Sequence, residues 1–124
     1  MRNSKKTRNR AARLLAIGAL CCLMAGCGSV DITKTSSVAY APTDPKTVDI
    51  IKVTPYRPFE KLGTLEASGF DASAENIMQS EVRTEAAAIG ANAVILDDKG
   101  LTPSFWGEGY DRWMTGEVIR YNPE

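Results

Sequence analysis

The amino-terminal segment limits how much of this chain can fold. The 124 residues open with a basic stretch, no acidic residue precedes Asp31, and the apolar run Leu14–Cys27 (LLAIGALCCLMAGC) follows the basic residues. This order is typical of a bacterial secretory signal. The run has about a dozen apolar residues, too few for a helix across a bilayer core of roughly 30 Å. We therefore predict that residues 1–26 are removed and that the folded part lies after them.

The end of the apolar run carries a more specific pattern. Met24-Ala25-Gly26-Cys27 resembles the lipobox of bacterial lipoproteins, in which the Cys is lipidated and becomes the first residue of the mature chain. Met24 stands where the lipobox usually has Leu, and an ordinary secretory signal is the alternative. The resemblance implies a lipid on Cys27 that holds the protein to a membrane. Because the residue directly after Cys27 is Gly28 and not Asp, we expect the outer membrane, with the protein facing the periplasm.

The charge of the remaining chain argues against nucleic acid as a partner. Six of the fifteen basic residues lie before Leu14, whereas all fifteen acids follow the signal. The cleaved chain is therefore acidic, and a surface of that sign repels phosphate backbones and is not attracted to anionic lipid. Attachment to the membrane would have to come from acyl chains, in which each buried methylene contributes about 0.8 kcal/mol.

The residue types after the signal exclude several kinds of chemistry. Cys21 and Cys22 lie in the signal, Cys27 would carry the lipid, and the chain has no His. The remaining chain therefore lacks the residues for disulfides, thiolate nucleophiles, Cys/His zinc sites and His-based acid–base catalysis. We predict a protein that is not an enzyme and has no cofactor. Its stability must come from an apolar core, and we expect a fragment from Pro45 onward to fold alone.

Residues 27–47 are predicted to be the lipidated Cys and a flexible tether. Ser, Thr, Pro, Asp and Gly dominate this stretch, and Pro42 and Pro45 favour extended backbone. As a flexible coil, about twenty such residues have an end-to-end distance of roughly 25 Å. The folded domain is then expected to be residues 48–124.

Four strands are predicted in this domain. β-Branched residues and short apolar runs place them at Val48–Thr54, Lys61–Ala67, Ala93–Leu96 and Arg112–Tyr121. Gly63 marks a bulge or a close backbone approach. Ser68–Asp71 is predicted to be a turn, and Lys99–Asp111 a loop.

One helix is predicted at Ala74–Ile89, because its apolar residues recur on one face at helical spacing (Ala74, Met78, Val82, Ala86 and Ile89). Ser73 is the expected N-cap, Gly90 the expected stop, and the Glu85 carboxylate is expected to reach water. The order β-β-α-β-β predicts an α+β domain: a small four-stranded mixed sheet with one helix packed on one face. The opposite face is either polar or covered by something else.

Three pieces of the domain resemble a known group. They are FEKLGTLEASG at 59–69, EAAAIGANAVIL at 85–96, and a last strand with Gly116 and Val118. The pattern is similar to small bacterial envelope lipoproteins with a fold like the YbjQ-type domain and the outer-membrane lipoprotein sensor of the Rcs stress system. The Rcs sensor has disulfides in this domain, where this chain has no Cys, so its signalling role is not carried over. The resemblance implies a fold and supplies no catalytic residue.

Aromatic residues in a glycine-rich stretch are the candidate binding residues. Phe105, Trp106, Tyr110 and Trp113 either form a recognition surface or fold back as a lid on the core. Trp106 is the residue expected to be exposed and Trp113 the one expected in the core. Tyr56 and Arg57 form a second candidate, expected at the same end of the sheet.

These features predict a non-catalytic, membrane-anchored envelope lipoprotein that binds another envelope component, such as an envelope protein, or senses envelope state. The alternative is a periplasmic module that binds a small molecule or a peptidoglycan fragment through the aromatic loop 101–113. Acidic residues around that loop (Asp97, Asp98, Glu108 and Asp111) would suit calcium or a pair of catalytic carboxylates. They lack a calcium-loop spacing, and a solvated acidic rim is the expected arrangement.

Overall fold

The computed structural model describes residues 28–105 and 107–123. Cys27 and Trp106, two of the predicted functional residues, lie outside these ranges. The described chain has a short 3-10 turn at Pro45–Thr47, one α-helix and five strands: β1 Ser29–Lys34, β2 Asp49–Ile51, β3 Phe59–Asp71, α1 Glu75–Ala88, β4 Ala93–Pro103 and β5 Tyr110–Tyr121.

The five strands form one mixed sheet in the order β1-β3-β5-β4-β2. All neighbours are antiparallel except β2 and β4, which run parallel. The predicted α+β class, with one helix and a mixed sheet, is confirmed. The prediction of four strands is wrong, because β1 adds a fifth.

β1 lies inside the segment predicted to be a tether. It pairs antiparallel with β3 from Ser29 opposite Ser68 onward. Val30 and Ile32 pack against the core and alternate with polar residues, as expected of a half-buried strand. Two apolar side chains are too few to predict a strand from the sequence of this segment alone. The strand forms because its backbone can pair with the long β3. The tether interpretation of residues 29–34 is therefore wrong, and the sheet begins at Ser29.

Residues 35–44 are irregular but fixed against the carboxyl end of α1. The Thr43 N–H donates to the Ala87 carbonyl at 2.9 Å, and the Thr43 hydroxyl donates to the Ala91 carbonyl at 2.6 Å. The first bond adds a donor to the Ala87 carbonyl in the last turn of α1, and the second occupies the Ala91 carbonyl just after the helix. The segment therefore belongs to the folded domain.

β3 is longer than predicted, and it contains two irregularities. The bulge expected at Gly63 is confirmed by a register shift between Lys61 and Gly63, and a Cβ on Gly63 would lie 2.6 Å from the Thr33 carbonyl oxygen. The turn predicted at Ser68–Asp71 is wrong. Gly69, with φ of +77°, forms a second irregularity there, and β3 continues through it to Asp71.

α1 confirms the predicted helix and its apolar face. Met78, Val82 and Ala86 are buried against the sheet, whereas Glu85 is exposed, as expected. The helix stops at the predicted glycine: Gly90 has φ of +87°, and its N–H donates to the carbonyl of Ala87 at 3.0 Å. A left-handed glycine with this bond is a common helix terminator.

The predicted N-cap of α1 is wrong. The helix begins after Ala74, which makes no side-chain capping bond. The Ser73 N–H and hydroxyl instead donate to the Asp71 carboxylate. This local turn competes with capping because short polar side chains bond readily to nearby groups. These hydrogen bonds, first that of the Ser73 side chain, hold the pKa of Asp71 below its usual value.

β4 and β5 form a long hairpin where a loop was predicted. The strands pair as far as Pro103 opposite Tyr110, so the connection is only 104–109. The loop prediction failed because residues 97–103 are mostly exposed. A strand with both faces exposed to solvent lacks the alternating apolar pattern by which strands are recognised.

The main core fills the space between α1 and the sheet. A smaller apolar cluster lies on the other face, around Ala93, Ile95 and Ile119. That face also carries polar side chains: Lys61 pairs with Glu117 at 3.3 Å, and a hollow of about 450 Å³ is lined there by strand residues together with Lys52 and Thr54. Within the described ranges, no helix is long and apolar enough to cross a bilayer.

Candidate functional site

The candidate binding residues lie at opposite ends of the sheet. Tyr121, at one end of β5, pairs with Phe59, which lies three residues after Tyr56. Tyr110, at the other end of β5, directly follows the loop 104–109. β5 has 12 residues, which at roughly 3.3 Å per residue separates the two ends by about 36 Å. The expectation that both candidates share one end is therefore wrong. We call these ends the hairpin end, at Tyr110, and the connection end, at Tyr56.

The hairpin end displays apolar side chains. Phe105 is 83% exposed and Tyr110 is 56% exposed, and Leu101 is also exposed. The Ser104 N–H donates to the Gly109 carbonyl at 3.0 Å and closes the loop. The exposure of these side chains does not fit a lid on the core. Trp106, the residue expected to dominate this loop, lies outside the described part of the chain.

Trp113 is not the core residue that was expected. It is half-buried on the face without the helix and lies opposite Gly100 across the hairpin. A Cβ on Gly100 would lie 2.9 Å from the Trp113 ring. The absence of a side chain on Gly100 thus leaves room for the indole against β4.

The connection end displays the other candidate pair. Tyr56 is fully exposed, and the Arg57 guanidinium lies 4.5 Å from the centre of the Tyr121 ring. This cation–π contact fixes Arg57 against the sheet. Tyr56 beside it lies in the irregular connection 52–58 between β2 and β3.

The described chain enters the sheet at the hairpin end. Gly28 precedes β1 and lies against the ring of Phe70, so that a Cβ on Gly28 would come within 2.7 Å of ring carbons. Phe70 pairs with Arg112, two residues from Tyr110. Only a glycine allows this close approach of backbone to ring.

Sequence patterns missed a polar cluster that joins α1 to the hairpin. Glu75 accepts a hydrogen bond from Lys99 at 3.1 Å and lies 3.8 Å from Arg112. The Lys99 hydrogen bond, and then the charges of Lys99 and Arg112, lower the pKa of Glu75. Arg112 also donates to the Ala72 carbonyl at 2.8 Å. The cluster orients the hairpin base, and its residues are far apart in sequence.

A second missed cluster fixes residues 35–44 to β3. The Glu60 carboxylate accepts hydrogen bonds from the Tyr40 hydroxyl and from the Ser36 hydroxyl, the latter at 2.8 Å. These two bonds, first that of Tyr40, lower the pKa of Glu60. The hydrogen bond between Tyr40 and Glu60 also raises the pKa of Tyr40. Arg120 lies 4.4 Å from the Tyr40 ring centre.

The acids around the predicted loop do not converge. Asp98 accepts a hydrogen bond from the Lys99 N–H at 2.8 Å, and Asp111 lies in β5 opposite Asp71. Among the residues that the structure describes, no three His, Cys, Asp or Glu side chains are grouped as metal ligands. The calcium alternative therefore gains no support from the structure.

Comparison with known proteins identifies the fold and no family. No family model matches the chain, and no curated protein matches it either. Among solved structures, the chain is similar to the Francisella virulence factor FvfA, with a TM-score of 0.54 and 16% sequence identity, over 75% of this chain and 98% of FvfA. At this identity the likeness shows the fold alone.

Proposed function

We propose that this protein is a non-catalytic, lipid-anchored domain of the bacterial envelope that binds another envelope component. The observation that carries the proposal is the Met24–Cys27 sequence, placed directly before Gly28 and β1. A lipid on Cys27 would be attached one residue from a Gly28 that packs on the core residue Phe70. The domain would then be held close to the membrane in a defined orientation.

The ionisable side chains of the described residues support a role without catalysis. No polar or charged residue among those described is buried. Catalytic groups, in contrast, usually have a pKa that is shifted by burial or by a neighbouring like charge. The carboxylates of Glu60, Asp71 and Glu75 have lowered pKa values because they accept hydrogen bonds. They remain ionised near neutral pH and are unsuited to act as general acids.

The connection end is the surface we propose for a protein partner. With the anchor at the hairpin end, Tyr56 and Arg57 would be about 36 Å away along β5 and would face away from the membrane. Tyr and Arg are enriched among residues that dominate binding energy. FvfA contributes only its fold to this proposal, because function does not follow from fold.

Replacement of Cys27 by Ser tests the anchor. We expect the wild-type chain to carry an acylated amino-terminal Cys27 by mass spectrometry and to fractionate with outer-membrane markers. The Cys27→Ser chain should lose the acyl group, because the thioether needs the thiol. Cys22→Ser is the matched control and should leave acylation intact. An unmodified Cys27 in wild-type protein, or its retention within the signal, contradicts the anchor.

Replacement of Tyr56 by Ala tests the partner surface. The variant should weaken a crosslinked complex from intact envelopes by about 1–2 kcal/mol of binding free energy, while the melting temperature stays near that of wild type. Tyr110→Ala, a tyrosine at the opposite end, is the matched control and should retain the complex. Equal loss from both variants, or from neither, would show that the connection end is not the binding surface.

A further inference from the structure

The exposed apolar residues of the hairpin end lie on the same side of the domain as the proposed anchor. Gly28 contacts Phe70, which pairs with Arg112, and β5 runs from there back to Tyr110. Two residues of strand advance the hairpin by about 7 Å past the level of Gly28. The loop 104–109 lies beyond that point.

The hairpin and the anchor are also close across the sheet. β5 is separated from β1 by β3 alone, which at about 4.8 Å per strand spacing is a lateral distance of roughly 10 Å. Consecutive Cα atoms are about 3.8 Å apart, so a lipid on Cys27 would be attached one peptide bond away from Gly28. A bilayer that holds acyl chains on Cys27 would therefore meet the hairpin loop.

The side chains at the hairpin tip suit such a surface. Phe105, Tyr110 and Leu101 are all exposed, and Gly107 and Gly109 lie in the same loop. Aromatic side chains concentrate at the membrane interface, where the ring contacts apolar groups and a polar end reaches water. Segments bound at this depth bury their apolar groups by about 5–10 Å, which is similar to the projection of the hairpin.

We propose that the tip of the β4–β5 hairpin is a second membrane contact, which inserts into the lipid interface beside the anchored amino terminus and fixes the tilt of the domain. This inference rests on the proposed lipid anchor. The tip brings no attraction for anionic headgroups, since Glu108 is acidic and Arg112 is engaged by Glu75 and Ala72. Insertion is therefore apolar, independent of lipid charge and insensitive to salt.

The experiment uses the mature lipidated protein, beginning at Cys27, reconstituted in neutral vesicles of phosphatidylcholine and phosphatidylethanolamine. A single Cys is introduced at the tip, Phe105→Cys, and labelled with an environment-sensitive fluorophore; Tyr56→Cys is the matched control. Cys27 would be blocked as a thioether, so the label goes to the new thiol. Glu108→Cys provides a second tip position at an exposed polar residue.

We expect the tip labels to show a blue-shifted emission, quenching by lipids brominated near the headgroup, and loss of quenching by aqueous iodide. The label at position 56 should remain open to iodide, and added salt or anionic lipid should change neither result. Mass spectrometry of the same sample reports acylation. An unacylated amino terminus overturns the proposed function and this inference with it. Acylated protein whose tip labels stay in water overturns the inference alone, as does shielding of the tip by soluble peptidoglycan fragments without vesicles.

Discussion

Replacement of Val82 by Asp is expected to unfold the domain. Val82 is completely buried, at the centre of the face that α1 packs on the sheet. A carboxylate there would be without water or a counter-charge, and burial of an unpaired charge is far more costly than loss of a methyl group. We expect a loss of about 4 kcal/mol or more from a total stability of about 5–15 kcal/mol for a domain. Chemical denaturation followed by circular dichroism measures this loss.

The same substitution on the exposed side of the helix provides the control. Ile77 is 59% exposed, and Ile77→Asp introduces the same charge into the first turn of α1, where an acid is compatible with the helix dipole. We expect it to change stability by less than about 0.5 kcal/mol. A stable Val82→Asp variant, or equal losses from the two variants, would contradict the packing of α1 described above.

Removal of residues 28–44 is expected to destabilise the domain severely. The sequence alone led us to expect that a fragment from Pro45 folds independently, and the structure leads to the opposite expectation. Leu65 and Ala67 are completely buried and pair with Ile32 and Val30 of β1. Without β1 this edge of the core would face water, and each large side chain that is re-exposed costs about 1.5–3 kcal/mol.

The residues after β1 add to this loss. The Thr43 bonds at the end of α1 and the bonds from Tyr40 and Ser36 to Glu60 would disappear with the segment. We expect the Pro45 fragment to lose at least about 3–5 kcal/mol compared with a fragment that begins at Gly28. Thermal and urea unfolding of both fragments make the comparison, and similar midpoints would mean that β1 is dispensable.

The helix and its termination could be predicted because both depend on local spacing. Met78, Val82 and Ala86 recur at helical intervals, and Gly90 supplies a left-handed stop that other residues adopt at a cost. The irregularity at Gly63 was also readable, since a glycine within a strand indicates close backbone approach. Each of these signals lies within a few residues of the structure that it specifies.

The strands that were missed depend on distant partners. β1 has only two apolar side chains, and it is ordered by pairing with residues of β3 that lie 29 to 39 positions further along the chain. The part of β4 from Asp97 to Pro103 is mostly exposed and is stabilised by its pairing with β5. Strand stability arises from cross-strand pairs, and no property of either segment alone reveals its partner.

By itself, the sequence determined the acidic character of the chain after Cys27, its lack of His and of any further Cys, the apolar face of α1, and the aromatic residues proposed as candidates for binding. Only the tertiary structure decided where those candidates lie. Tyr56 and Tyr110 are placed at opposite ends of the sheet, and Gly28 is placed beside Phe70 at the same end as Tyr110. The physical reason is that strand register is fixed by hydrogen bonds and packing between residues far apart in the chain. Distance along the sequence therefore does not report which residues share a surface.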